Sequence, residues 1–508
     1  MSHGHQLTGA QLEGAPILAA DQMRSAETRG LARGIQSFDL MQHAGHAVAD
    51  VVRRRWPGWA GRVLVLCGAG NNGGDGFVAA RALTDFGYAV TIAAAQPLAQ
   101  YRGDAARAAA LIAGPIEALS ASALAAWLNP DTLIVDAVFG IGLSRPVEGN
   151  LARLFDAVNA SGAAVVAVDI PSGVQADTGA VLGSAVRALI TVTFGWPKRG
   201  HLLLPGRGLA GELVCADIGL DDGDLTPEAR TVSVNGPTIW QAALPRPGEA
   251  DHKYSRGHAV IVGGAAMPGA ARLAARAARR VGVGMLTVAT AEAARGFYLA
   301  DQPGLIVCAI DGPTGLKPIL EDRRVSGALV GSGLPPDLET KSLVLAVLSS
   351  GKPAVIDGGG LTVFADKVRE LADARQGPVV LTPHEGEFAR LFPHLSSLPS
   401  KLERARAAAL ETGAVIVLKG ADTVVAAPDG GAVINANAPA WLATAGSGDV
   451  LAGLVLGLLA QGMPAFKAAA AAVWLHGAAG QAFGVGLIAE DLPEMLPALL
   501  SRLWQKNG

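Results

Sequence analysis

Three short stretches of this sequence combine residue types that do chemistry rather than fill a core. The first is CGAGNNGGDG (67–76), a glycine-rich turn that follows a strand-like run and opens a helix. Consecutive backbone amides in such a turn cradle an anion at a helix N-terminus. Gly68, Gly70 and Gly73 formally satisfy G-x-G-x-x-G, the dinucleotide fingerprint. The following strand ends AAAQP and lacks the acidic residue expected about 20 positions on to hold a ribose. Asp75 would also set a carboxylate beside the pyrophosphate, so a standard Rossmann site is disfavoured. The second group comprises Asp136, which closes LIVD before FGIGLSRP (139–146), and Asp169, which closes VVAVD before IPSG (170–173). A single strand-end Asp is often only a turn cap. With Asn72 and Ser172, these residues form a set of oxygen donors that suits a monovalent cation or a polar ligand better than a tight divalent site. The third stretch is ATAGSGDVLAG (443–453). There an anion-binding helix start near Gly448 precedes Asp449, placed to take a proton from a hydroxyl that attacks phosphorus. The plainer reading of Asp449 is a carboxylate complementing the helix dipole.

These groups need a scaffold that gathers strand ends. In the first half, RVLVLCG (62–68), AVTIAAA (89–95), TLIVDAVFG (132–140), AAVVAVDIP (163–171), ALITVTFG (188–195) and ELVCADIG (212–219) are continuous apolar runs separated by helical segments such as FVAARALTDFG (77–87). That alternation predicts a parallel sheet covered on both faces, with ligands beyond the carboxyl ends of its strands. Residues 221–251 are rich in Asp, Pro and Gly and break the rhythm, which predicts domains at 1–225 and 251–508 with a linker at 226–250. A second series runs through GHAVIVGG (257–264), an Ala/Arg helix (270–281), MLTVAT (285–290), LIVCAI (305–310), ALVG (328–331), AVIDGG (354–359), VVLTP (379–383) and VIVLKG (415–420). A hairpin across PDGG (428–431) and helices near 448–461 and 465–483 complete it. The expected fold class is α/β: an N-terminal Rossmann-like three-layer domain and a C-terminal α/β domain.

Bulk properties narrow the function. A chain of 508 residues exceeds one core, and 50% hydrophobic residues with only 5% aromatics suit tightly packed α/β layers. A net charge of -3 without a long basic run argues against nucleic-acid binding. The apolar stretch 451–460 is shorter than the roughly 20 residues that span a bilayer, and no signal pattern opens the sequence, so no membrane partner and a cytoplasmic location are expected. Cys67, Cys215 and Cys308 lie in apolar runs and read as buried thiols, while His3 and His5 read as part of a tail.

NNGGDG, VDAVFGIGLSRP, DIPSG and FGWPKRGHLLLPG (194–206), with DQMRSAE (21–27) and LMQHAG (40–45), resemble the NAD(P)H-hydrate epimerase family over about residues 15–220. The resemblance implies potassium held by Asn72, Asp136 and Ser172. It implies contacts to a hydrated nicotinamide cofactor from Asn71, Asn72, Gly73, Gly74 and Asp75, and from Gly140, Ile141, Gly142, Leu143, Ser144, Arg145 and Pro146. Asp169 is then the expected acid/base or orienting group.

The C-terminal half carries no P-loop, and its GSGD is similar to that of the ribokinase-like superfamily. DHKYSRGHAVIVGGAAMPG (251–269), LTPHEGEFARLF (381–392) and LKGADTVV (418–425) make it resemble the ADP-dependent NAD(P)H-hydrate dehydratase family over about residues 245–500. VGSGLPPD (330–337) departs from that family's usual glycine-proline-glycine-leucine-glycine. The resemblance places Ala271, Gly333, His384 and Asp449 at the hydrate. It places Lys419, Gly420, Ala421, Asp422, Thr423 and Gly448 at the nucleotide. ADP is the expected phosphoryl donor, with ATP as the alternative, and Mg²⁺ balances phosphate charge. A homo-oligomer acting on small molecules is the expectation.

Overall fold

The computed structural model describes residues 6–300 and 302–505; His3 and His5 lie outside the described residues. The chain divides into two compact units, Met1–Ser233 and Val234–Gly508.

The N-terminal unit is built on an eight-stranded sheet. In chain order the strands are β1 (Gln6–Thr8), β2 (Arg62–Cys67), β3 (Ala89–Ala94), β4 (Ile116–Ala118), β5 (Thr132–Ala137), β6 (Ala164–Val168), β7 (Ile190–Phe194) and β8 (Glu212–Ala216). Their spatial order is β1-β8-β7-β6-β5-β2-β3-β4. β1 pairs antiparallel with β8, and the other pairings are parallel. Val63, Leu64, Val65 and Leu66 are each wholly buried, as continuous apolar runs in a doubly covered sheet require.

The helix after β2 spans Asn71–Asp85, so the NNGGDG residues are themselves helical and do not form a separate turn ahead of it. Glycine is a poor helix former, costing about 1 kcal/mol against alanine. Close packing explains its use here. A Cβ on Gly73 would lie 1.9 Å from the Gly68 carbonyl oxygen, and one on Gly74 would lie 2.6 Å from the Met41 methyl.

The C-terminal unit carries a ten-stranded sheet. Its strands are β9 (Val232–Val234), β10 (His258–Gly263), β11 (Met285–Thr290), β12 (Ile306–Ala309), β13 (Val325–Val330), β14 (Ala354–Ile356), β15 (Val379–Leu381), β16 (Val415–Leu418), β17 (Val424–Ala426) and β18 (Ala432–Ile434). The spatial order is β12-β11-β10-β13-β14-β15-β16-β17-β18-β9. Pairing is parallel from β12 through β16, then antiparallel through the β17–β18 hairpin. That hairpin turns across PDGG, where the Gly431 amide donates to Asp429 Oδ1 at 2.9 Å.

Two features differ from the sequence reading. The stretch expected to be a linker is structured. Trp240 is fully buried in the C-terminal core, and the Asn235 side chain donates to Asn435 Oδ1 at 3.0 Å and to the Ala470 carbonyl at 2.8 Å. Its Asp and Pro content masked a short strand and a helix at Pro237–Trp240. Cys67 and Cys215 are buried as expected, but Cys308 is only half-buried because β12 is an edge strand.

The helix Ser447–Ala460 lies against the helix Pro268–Arg280 at backbone contact. A Cβ on Gly453 would sit 2.2 Å from the Ala274 carbonyl oxygen. Small residues thereby fix where the N-terminus of the GSGD helix emerges.

Candidate functional site

The N-terminal unit has a cleft of about 640 Å³ whose lining includes Asn71, Asn72, Asp75, Asp169 and Lys198, with Gly140, Ile141, Gly142 and Leu143. It opens beyond the carboxyl ends of β2, β5, β6 and β7, where an open α/β sheet binds ligands. Asp169 follows β6 in the left-handed region at φ 65°, a strained conformation for a non-glycine residue. That strain is offset by a dense set of partners. Lys198 Nζ lies 2.9 Å from Asp169 Oδ1 with its side chain only 1% exposed. The same ammonium donates to Thr193 Oγ1 at 2.7 Å and to the Phe194 carbonyl at 3.0 Å. Thr193 Oγ1 donates to Asp169 Oδ1 at 3.1 Å, and the Ile141 amide donates to Asp169 Oδ2 at 3.2 Å. Burial alone would raise Asp169, but the charge and hydrogen bond of Lys198 outweigh it and hold the carboxyl below its ordinary value.

The neighbouring acids respond oppositely. Burial, then repulsion from Asp169 and Glu27, pushes Asp75 well above the usual carboxylate range. Glu27 is raised by burial as well. One cleft thus holds an ionised carboxylate and a carboxyl biased toward its protonated form, the division that acid–base chemistry requires. His201 buttresses the pair from behind. Its Nδ1 accepts from the Lys198 amide at 3.0 Å, so the proton sits on Nε2, 2.8 Å from the Asp169 carbonyl oxygen.

Asp136 and Ser172 lie beneath the cleft floor and are wholly buried. The Ser172 amide and hydroxyl donate to the two Asp136 oxygens at 2.8 and 2.6 Å, and the Val138 amide adds a third bond at 3.3 Å. Despite these bonds, burial raises Asp136 to about 6, since no cationic side chain pairs with it among the described residues. Asn72 has a buried Nδ2 without a hydrogen-bond partner. A Cβ on Gly140 would lie 3.0 Å from both Asn72 Oδ1 and Asp169 Oδ2, so only glycine lets this loop close over them. Oxygen donors around an unbalanced buried carboxylate fit a monovalent cation. Among the described residues no group of three His, Cys, Asp or Glu side chains forms a site for a harder or softer metal. Gly73 and Gly74 are packing residues buried beneath the loop. Ser144, Arg145 and Pro146 are exposed beyond the cleft-lining part of their loop.

In the C-terminal unit, four adjacent strands each end in a polar group. Ser332, Asp357, Thr382 and Lys419 follow β13, β14, β15 and β16. Asp357 collects them. Ser332 Oγ donates to Oδ2 at 3.0 Å, while Thr382 Oγ1 and Lys419 Nζ donate to Oδ1 at 2.7 and 2.9 Å. Lys419 also lies 3.8 Å from Glu387 Oε2. Burial would lower Lys419, but Asp357 and Glu387 outweigh it and the ammonium is raised.

Beside this pair begins the helix Ser447–Ala460, capped by Gly446 at φ 88°. A Cβ on Gly448 would be 3.6 Å from Lys419 Nζ, which brings the free amides of the helix start next to a fixed cation. Asp449, in the first turn, is raised to about 6 by burial and by Asp357, with Ser332 hydrogen bonding opposing the shift. That value suits a general base near neutral pH.

His384 caps the helix Glu385–Leu391. Its Nδ1 accepts from the Gly386 and Glu387 amides at 3.0 and 3.2 Å, and its Nε2 lies 3.6 Å from Glu387 Oε1. Gly333, at φ 73°, packs against the start of the helix Pro268–Arg280, where its Cβ would meet the Met267 carbonyl at 2.4 Å. Ala271, expected at the hydrate, is fully buried in the core. Gly420, Ala421, Asp422 and Thr423 form a closed loop after β16, with Thr423 Oγ1 donating to the Gly420 carbonyl at 2.7 Å.

The sequence reading did not single out Lys198, Thr193, His201, Glu27, Asp357, Ser332 or His476. Asp357 had a signal, since AVID repeats the strand-end pattern of LIVD and VVAVD. Lys198 and His201 stood in the quoted FGWPKRGH, in a short polar KRGH step between apolar runs.

Fold and site together define an α/β enzyme with two separate sites, one per unit. Family models match as "NAD(P)H-hydrate dehydratase" over residues 259–505 and "YjeF-related protein N-terminus" over residues 37–200. The bifunctional NAD(P)H-hydrate repair enzyme of Moorella thermoacetica is 36% identical over 496 residues, covering 92% of this chain and 93% of that protein. That of Salinibacter ruber is 37% identical, covering 95% of each. Among solved structures, the ADP/ATP-dependent NAD(P)H-hydrate dehydratase of Bacillus subtilis, co-crystallised with ATP and Mg²⁺, is 31% identical. The match covers 54% of this chain and 98% of that one, with a TM-score of 0.46. The chain belongs to the family of bifunctional NAD(P)H-hydrate repair enzymes, with an epimerase domain ahead of a dehydratase domain. No helix among the described residues is long and apolar enough to cross a membrane.

Buried histidines give each unit an acid sensitivity. Burial, reinforced by the charge of Lys198, lowers His201 to about 4, and burial likewise lowers His476 to about 4. An unfolded imidazole takes up its proton near 6.5. Between these values the unfolded chain binds more protons, so the stabilisation is complete above the upper value and is lost as pH falls through the lower one. The raised carboxyls of Asp75 and Asp136 act in the opposite sense over this range and are common to both proteins, so the histidine's share is read as a difference: between about pH 6.5 and 4 the N-terminal unit of the wild type is expected to lose urea stability relative to that of His201→Gln. Equal pH slopes in the two proteins would contradict the assignment.

Proposed function

We propose a division of labour in which the N-terminal site interconverts the R and S hydrates of NADH and NADPH, and the C-terminal site dehydrates the S form at the expense of ADP. The observation that carries this reading is the grouping of Asp449, Lys419 and the Gly448 amide at one helix start, in a chain that also holds the Asp169–Lys198 pair. A hydrate carries a ring hydroxyl, and hydroxide is a poor leaving group. Asp449 takes the hydroxyl proton as that oxygen attacks the terminal phosphorus of ADP, and AMP departs. The amides of the helix start and Lys419 receive the charge that develops on the transferring phosphoryl group. Elimination of the phosphate ester then releases inorganic phosphate and restores the reduced nicotinamide.

The loop 419–423 lines the nucleotide, while His384 and Gly333 face the hydrate. ATP is an alternative donor. Asp357 and Glu387 are already engaged by Lys419, so Mg²⁺ would arrive on the nucleotide phosphates and balance their charge. In the N-terminal cleft, Asn71, Asn72 and Asp75, with Gly140 to Leu143, hold the cofactor, and Asp169 orients or exchanges protons with the carbon-bound hydroxyl. Potassium, held by Asn72, Asp136 and Ser172, would supply the positive charge that buried Asp136 lacks. The cytoplasm is the proposed compartment.

Separate variants test the division. Asp449→Asn is expected to lower the dehydration kcat by about 10²–10⁴-fold while epimerisation continues, and Asp169→Asn to do the reverse. Chromatographic resolution of the two hydrates alongside NADH formation reads both; loss of both activities in either variant would sink the proposal. For the cation, replacing choline with potassium is expected to raise the Tm of the wild-type N-terminal unit but not that of Asp136→Asn. An equal response of both proteins would remove potassium from the site.

A further inference from the structure

Lys401 occupies a position that local physics disfavours. It opens the helix Lys401–Thr412, where a cation faces the positive end of the helix dipole. Its side chain is 6% exposed, so the ammonium has also been taken out of water. The helix does not need it as a cap, because Ser400 Oγ already accepts from the Glu403 amide at 3.2 Å.

What offsets both costs is a set of contacts to two other segments. Lys401 Nζ donates to Asp422 Oδ1 at 2.7 Å and to the Lys419 carbonyl at 3.0 Å. It also lies 3.6 Å from Glu385 Oε1, in the first turn of the helix capped by His384. Arg404, one turn further along, pairs with the same Glu385 at 2.8 Å. The loop drapes over the ammonium, since a Cβ on Gly420 would stand 2.4 Å from Lys401 Nζ. The Gly420 amide closes the loop onto Thr423 Oγ1 at 3.1 Å. The carbonyl that Lys401 holds belongs to the residue whose own ammonium is fixed on Asp357.

We propose that Lys401 is the positioning residue of the dehydratase's nucleotide loop. Through the Lys419 carbonyl and Asp422 it keeps residues 419–423 in the shape that receives ADP, and through Glu385 it ties that loop to the segment bearing His384. The inference rests on the assignment of 419–423 to the nucleotide.

The test is steady-state dehydration of the S hydrate by the full chain with ADP varied. Lys401→Met is expected to raise KM for ADP about tenfold or more while kcat stays within about threefold, since ground-state positioning is lost and the reacting groups remain. Lys401→Arg, which keeps the charge, is expected to restore most of the affinity. Lys401→Gln, which keeps donors but no charge, is expected to fall between them. If Lys401→Met does not fold, the Gln and Arg variants carry the comparison. Lys419→Met separates the two readings. If it raises KM for ADP while folded Lys401 variants leave it unchanged, the role of Lys401 is overturned. If neither moves it, the nucleotide assignment of the loop fails. Equal impairment by Arg and Met would also overturn the proposal, because the site would then require shape rather than charge.

Discussion

A lysine ammonium removed from water must be met by a carboxylate, and each unit of this chain builds its site around such a pair. Lys198 meets Asp169 at 2.9 Å in the first, and Lys419 meets Asp357 at 2.9 Å in the second. Burying two charges is expensive, and breaking such a pair by deleting one partner costs about 3–5 kcal/mol. The pairs are therefore weak devices for stability and strong ones for placement. Each fixes the charge of its carboxylate, and that fixed charge displaces the next acid: Asp75 upward in the first unit, Asp449 to about 6 in the second. Asp75 and Asp449 thus owe part of their titration to a pair of which neither is a member.

Parallel sheets supply the geometry that makes these pairs possible. All strands of a parallel array end on one edge, so residues distant in sequence arrive side by side. Ser332, Asp357, Thr382 and Lys419 illustrate this, spaced widely along the chain yet delivered by four neighbouring strands. Glycines complete the approach. Gly140 admits Asn72 and Asp169, Gly453 seats the phosphate-facing helix on its neighbour, and Gly420 makes room for the Lys401 ammonium.

How much of this was legible in the sequence follows from what each feature depends on. Buried strands announce themselves as apolar runs, so β2, β5, β6, β10 and β16 were readable, as was the β17–β18 hairpin from PDGG. Asp136, Asp169 and Asp449 were singled out because several carboxylates closing apolar strands or opening a glycine-rich helix coincide, although each alone could be a turn cap or a helix-dipole partner. Lys198, Asp357 and Lys401 were not singled out, because a buried ion pair depends on which strand lies beside which, and that order is absent from local pattern. The apparent linker failed for a related reason. Its Asp, Pro and Gly content is loop-like, whereas Trp240 and Asn235 reveal their burial only through partners some 200 residues away.

Two sites on one chain, as proposed, together clear both forms of a damaged cofactor. A mixture of R and S hydrates with excess ADP, followed until absorbance of the reduced nicotinamide is constant, tests it in one vessel. Both hydrates are expected to disappear, with one AMP and one phosphate formed for each NADH recovered, within a time over which the R form alone is unchanged without enzyme. Persistence of the R hydrate, or accumulation of a stable phosphorylated cofactor, would contradict it.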